Sequence, residues 1–151
     1  MKIDAIDMNI LRELRENSDR PIRELAQKLG MHPNTLLQHI KKLEANRIIV
    51  KYMAEIDYAK MGYDLQTMVM IKVSKDARSK WEVLDELRAF KDFVAIYAIT
   101  GGYDLMAIVR TKNRKTLTDL LSELNKKPYV VETNTTLLLQ AFKHAYEFNP
   151  I

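Results

Sequence analysis

The sequence predicts an α+β chain: an N-terminal helix-turn-helix domain followed by a C-terminal ferredoxin-like βαββαβ domain. Three observations predict it. Apolar residues recur at helical spacing in three short segments of the first third. Gly30 and Pro33 stand between the second and third of these, where a tight turn is needed. The second half repeats itself at a shift of 37 residues, each copy reading strand, polar turn, helix, strand.

Residues 4–17 read as the first helix, with Ile3, Ile6, Ile10, Leu11 and Leu14 on one face and Asp4 as the cap. Residues 21–29 form a second, with Ile22, Leu25, Ala26 and Leu29 at i, i+3, i+4, i+7. A third runs over 33–46, with Leu36, Leu37, Ile40 and Leu43 inward. The apolar run over 48–56 then reads as a strand. In the repeat, Lys75 meets Lys112, Leu84 meets Leu121, Glu86-Leu87 meets Glu123-Leu124, and Val94 meets Val131. Strands are expected at about 65–73, 94–100, 103–111 and 130–139, helices at about 79–90 and 115–126, and Gly101-Gly102 as the turn joining the two copies. The domain boundaries follow: 1–50 for the helix-turn-helix, 51–63 for a connecting strand and linker, 64–141 for the ferredoxin-like domain, and 142–151 for a tail.

The composition excludes several classes. There are 151 residues, 47% hydrophobic and 29% charged, so disorder is not expected. With no Cys, a disulfide scaffold, a Cys-ligated zinc site and a thiol nucleophile are ruled out. Asp4 and Asp7 interrupt any signal-peptide core, and no apolar run approaches the ~18 residues of a membrane span, so a soluble cytoplasmic protein is expected. No GxSxG, HExxH or Walker motif is present, so no catalytic residue and no enzyme are expected. His32 and His39 are seven residues apart, too far along a helix to share one metal, and His144 falls in the tail; no metal site is expected. The methionines of the strands, Met68, Met70 and Met106, read as packing, and Trp81 as a residue packing a repeat helix on its sheet.

The strands point to a partner. A sheet covered on one face should alternate apolar and polar residues. The runs 68–71, 94–99 and 105–109 are instead apolar on both faces. An exposed second face would be a large apolar patch, so sheet-to-sheet homodimerisation is expected; the other reading folds the first three helices back onto it.

The first third reads as a DNA reader. The segment 21–44 is helix, turn, helix, and in such units the second helix enters the major groove. From Arg20 to Lys51 there are seven positive residues against two negative, a net +5 in a chain of net +4. Charge is thus concentrated where a phosphate backbone would lie. The outward residues of the third helix and its start, His32, Asn34, Thr35, Gln38, His39, Lys41 and Lys42, are the expected DNA contacts. Asn and Gln suit adenine edges, Thr a thymine methyl, and Lys phosphate or guanine.

The ordered series Asp4-Ala5-Ile6-Asp7, Arg23-Glu24-Leu25-Ala26, Gly30, Ile40-Lys41-Lys42-Leu43-Glu44, Ile48-Ile49, Met61-Gly62-Tyr63, Thr100-Gly101-Gly102-Tyr103-Asp104 and Thr133-Asn134-Thr135 resembles the Lrp/AsnC (feast/famine) family of transcription regulators along nearly the whole chain. The resemblance implies a winged-helix-like form of the helix-turn-helix, binding to double-stranded DNA, dimers that assemble into tetramers, octamers or higher forms, and an amino acid or related metabolite bound in the C-terminal domain between subunits. Three positions depart from the family's commoner residues: His32-Pro33 in place of Ser-Pro, where His is a poor N-cap, Gln38-His39 in place of two Arg, and Gly102 in place of a polar residue. Ligand contacts at Gly102 then fall to backbone amides or to Tyr103 and Asp104. The expected effector site is Thr100, Gly101, Gly102, Tyr103 and Asp104, with Thr133 and Thr135 as neighbours. Glycine amides suit a carboxylate, Asp104 an ammonium, and threonine hydroxyls both donate and accept. No cofactor is expected, an amino-acid effector aside. Two alternatives stay open: a DNA-compacting architectural protein without effector, and an enzyme resembling the siroheme decarboxylases, for which Arg88 and Arg110 would be the available cations.

Overall fold

The computed structural model describes residues 2–74 and 80–142, save the side chains of Lys80 and Trp81. The expectations for Trp81, His144 and most of the tail, and the repeat match at Lys75, fall outside this description. The chain forms two compact units that divide between Glu55 and Ile56.

The first unit holds α1 (Ala5–Glu16), α2 (Ile22–Lys28) and α3 (Pro33–Ala45). Asp4 caps α1 reciprocally: its Oδ1 accepts the Asp7 N–H at 2.8 Å, and Asp7 Oδ2 accepts the Asp4 N–H at 3.3 Å. The core is Ile10, Leu25, Ala26, Leu36, Ile40 and Leu43. The inward face of α1 is not the one expected. Ile3 and Ile6 are exposed, and Asp7 fills the first inward slot ahead of Ile10, Leu11 and Leu14. Leu37 is likewise outward, 37% exposed, because Leu36, Ile40 and Leu43 complete the buried stripe of α3 without it.

Gly30 closes α2 with φ of +65°. Its N–H donates to Gln27 O, and the Met31 N–H donates to Ala26 O, the paired bonds of a Schellman ending. His32 caps α3 after all, its Nδ1 accepting the Asn34 N–H at 3.2 Å, with Pro33 at the first helical position. The strand expected over 48–56 does not form. The Ile48 and Ile49 N–H groups are spent on Leu43 O, and both side chains pack on the helical core. Val50, Tyr52 and Met53 are exposed, and among the described residues no strand edge exists in this unit to pair with them.

The second unit holds β1 (Leu65–Val73), α4 (Lys80–Arg88), β2 (Phe93–Ala98), β3 (Leu105–Thr111), α5 (Arg114–Asn125) and β4 (Val130–Leu138). The sheet order is β2-β3-β1-β4, with every neighbouring pair antiparallel. This is the ferredoxin-like βαββαβ arrangement. Val69, Ile71, Ala107 and Val109 are fully buried against Val83 and Leu87 of α4 and Leu120 and Leu124 of α5. Met68, Met70, Met106 and Ile108 alternate with them and stay half-buried on the other face, which no helix among the described residues of this unit covers.

Candidate DNA-reading surface and effector site

At ~100° per residue, the exposed arc of α3 is centred on Asn34, Gln38, Lys41 and Ala45. Thr35 and Lys42 lie along one edge, Leu37 and Glu44 along the other. Gln38, Lys41 and Asn34 are exposed and carry no side-chain hydrogen bond among the described residues, so their polar groups are available to a ligand. His32 is exposed, with one ring nitrogen spent on its cap.

His39 is held differently. Its side chain is 19% exposed, and its Nδ1 lies 2.7 Å from Oδ1 of the fully buried Asp7. Burial pushes the Asp7 carboxyl up. The His39 hydrogen bond, the Asp4 N–H and the Lys42 charge more than offset this and hold it below the usual value. An ionised carboxylate only accepts, so Nδ1 carries the proton. Lys42 is drawn to the same group, its Nζ 3.7 Å from Asp7 Oδ2. Asp4, Asp7 and His39 bring one ligand atom each within 4.8 Å of one another. Their bonds are spent on one another and a lysine stands beside them, so the cluster is a helix cap tied to a histidine rather than a cation cradle.

The charge count changes in the same way. Arg20 and Lys28 both bind Glu13 Oε2 at 2.5 Å, and these two partners hold the Glu13 carboxyl below its usual range. Among the described residues, Arg23, Lys41, Arg47 and Lys51 have no carboxylate partner. Sequence counting missed this because Glu13 and Asp7 lie outside the basic window and reach it only through the fold.

The expected effector residues are divided by the sheet. Gly101 has φ of +115°, and both glycines face open space. Tyr103 donates its hydroxyl to Glu132 Oε1 at 2.9 Å, and that bond raises the phenol above its ordinary value. Asp104 is half-buried and knits strand ends: its Oδ2 accepts the Val73 N–H at 2.9 Å, its N–H donates to Ile71 O, and its carbonyl accepts the Ile99 N–H. Thr133 and Thr135 pair with Ile71 and Val69, so they stand on the helix-covered face, and the Thr133 hydroxyl donates to Asn125 Oδ1. Glu132 and Asn134, on the opposite face, are the β4 residues beside Tyr103, not the two threonines. Their identity depends on the β1–β4 register, for which the sequence carries no local signal.

Arg88 pairs with Asp85 on α4, whereas Arg110 on β3 lies 5.1 Å over the Tyr58 ring with Gln66 at 3.3 Å; they do not converge. A shallow groove of about 450 Å³ between α4 and α5, lined by Glu86, Phe90, Asp119 and Lys127 among others, lies away from Gly101-Gly102.

A family model for winged helix-turn-helix DNA-binding matches residues 3–50, and one for the Lrp/AsnC ligand binding domain matches residues 66–148. The chain is 31% identical over 145 residues to the HTH-type transcriptional regulator FL11 of Pyrococcus horikoshii, covering 96% of this chain and 95% of that one. It is 30% identical over 142 residues to the regulatory protein AsnC of Haemophilus influenzae, covering 91% and 92%. A transcriptional regulator of Neisseria meningitidis, solved in complex with L-Met, superposes with a TM-score of 0.89 at 22% identity, covering 95% and 94%, and shares the fold.

Proposed function

This chain belongs to the Lrp/AsnC family of transcription regulators, and from that premise we propose that it is a cytoplasmic, non-enzymatic regulator. It binds double-stranded DNA selectively as a homo-oligomer, holds no resident cofactor, and changes its DNA affinity when an amino acid binds the second unit. The observation that carries this reading is the exposed arc of α3. Asn34, Gln38 and Lys41 are exposed and unpaired among the described residues, over a buried stripe, so the helix offers base-reading amides and a phosphate-seeking cation on one rigid face. Thr35 stands beside them for a thymine methyl. Lys42 is shared with Asp7, His39 is a positioning group, and His32 serves first as the cap.

The effector reading draws on the Neisseria meningitidis relative, which was solved with L-Met. Here Gly101 and Gly102 present backbone amides without side-chain obstruction, which suits a carboxylate. Glu132 and the remaining acceptor capacity of Asp104 supply negative charge for an ammonium. Thr100 lies in the same turn. Binding there is linked reciprocally to DNA affinity, by roughly 1–3 kcal/mol.

Footprinting on genomic fragments tests the regulator. Discrete protected sites are expected, and uniform coverage would turn the reading to an architectural protein. Thermal unfolding in the presence of each of the twenty amino acids tests the effector, since a ligand that binds only the native state raises the midpoint. If none raises it, the effector half is withdrawn.

A further inference from the structure

Two helices of the first unit end in the same way. At the end of α2, Gly30 sits at φ +65°, its N–H bonded to Gln27 O and the next N–H, of Met31, to Ala26 O. At the end of α3, Arg47 sits at φ +55°, its N–H bonded to Glu44 O and the next N–H, of Ile48, to Leu43 O. Both are Schellman endings, and both return an apolar residue to the same core, Met31 in one case and Ile48 in the other. The left-handed position crowds a Cβ, so glycine is the unstrained choice and a long, β-carbon-bearing residue is not. Among the described residues, Arg47 is the one non-glycine with positive φ.

Among the described residues of the unit, nothing repays that strain. The Arg47 side chain is exposed and has no carboxylate partner among the described residues, whereas Arg20, Lys28 and Lys42 each have one. A cation is favoured at a helix C-terminus, but Lys42 already supplies one in the last turn of α3. The Arg47 guanidinium therefore stands uncommitted two residues past the end of the reading helix.

We infer that Arg47 is a DNA-phosphate contact, retained against its backbone strain because its planar fork clamps the backbone flanking the bases that α3 reads. This rests on the DNA-binding function proposed above. Arginine pairs two N–H groups with one phosphate, and the rigid Schellman turn fixes where the fork begins. The contact is independent of sequence: it sets affinity and register, and leaves base choice to Asn34 and Gln38.

The test uses the full chain and its R47G and R47K variants. Binding to a fluorescein-labelled mixed-sequence duplex is read by anisotropy over a potassium chloride series, and thermal unfolding is read alongside. R47G is expected to unfold at a higher temperature, by about 4 °C, while binding roughly tenfold more weakly with a salt slope reduced by about 1 per subunit. R47K, strained but still cationic, is expected to keep the parent's slope. R47G binding with the parent's affinity and slope overturns the inference. So does R47K losing as much slope as R47G, and so does a lowered midpoint for R47G, which would remove the strain that motivates it. A parent without salt-dependent duplex binding overturns the proposed function itself, and is seen before any variant is compared.

Discussion

His39, in the middle of α3, donates through Nδ1 to Oδ1 of Asp7, a carboxylate on α1 with no exposed surface, at 2.7 Å. The other Asp7 oxygen takes the Asp4 N–H and attracts Lys42. One side chain thus caps α1 and sets the rotation of α3 against it. Asp7→Ala strands the His39 donor and removes half of the cap, and should destabilise the first unit by roughly 2–4 kcal/mol. Denaturant unfolding measures it. A loss no larger than that of an exposed-site control such as Glu16→Ala would show that the pair is incidental.

Asp7 also sets an acid limit. Its carboxyl is lowered in the folded state, so the unfolded chain binds the proton more tightly. The stability it supplies is therefore fully present above the unfolded value near 3.8 and is lost as pH falls through the lowered folded value. Glu13, lowered by Lys28 and Arg20, acts in the same sense in the same unit. Unfolding free energy should fall below about pH 4, and Asp7→Asn should flatten that fall. Parallel pH profiles for parent and variant would contradict the assignment.

The two neighbouring lysines of α3 should behave differently. Lys41 has no acid partner among the described residues, whereas Lys42 is shared with Asp7. Lys41→Ala should reduce the salt slope of DNA binding by about 1, and Lys42→Ala by less, because its charge is already partly committed. Gln38→Ala should instead change base preference, by about 1–3 kcal/mol at one position. Equal slopes for the two lysine variants would mean that DNA strips Lys42 from Asp7.

What was legible in the sequence was what is local. The helical period exposed the buried stripe of α3, and the repeat exposed the βαββαβ order. The burial of Asp7 leaves no mark in the sequence: a charge is no sign of a core position, and the partner that makes it one lies 32 positions away. The run 48–56 has strand-forming residues, but a strand also needs a neighbour, and propensity carries no information about one. Thr133 and Thr135 are expected beside Tyr103 for their hydroxyls, which both donate and accept. Their face is set by pairing Thr133 with Ile71, a register that one residue of slip would reverse.

The sheet also carries a prediction about assembly. On the face that α4 and α5 leave uncovered, Met68, Met70, Met106 and Ile108 form an apolar centre on the two middle strands. Gln66 and Arg110 bound it at one end, and Lys72 and Glu132 at the other. An apolar centre with a polar rim is the anatomy of a protein interface, and the expected cover is the same patch on a second copy. Met70→Glu puts a charge at that centre while leaving Val69, Ile71, Ala107 and Val109 buried against the helices. The variant should keep its fold by circular dichroism, fall to a monomer by light scattering at low micromolar concentration, and lose DNA affinity because two reading helices are no longer held on paired half-sites. A parent that is already monomeric, or a variant that keeps the parent's mass, would mean that this face is not the interface. The apolar residues of its centre would then need another cover.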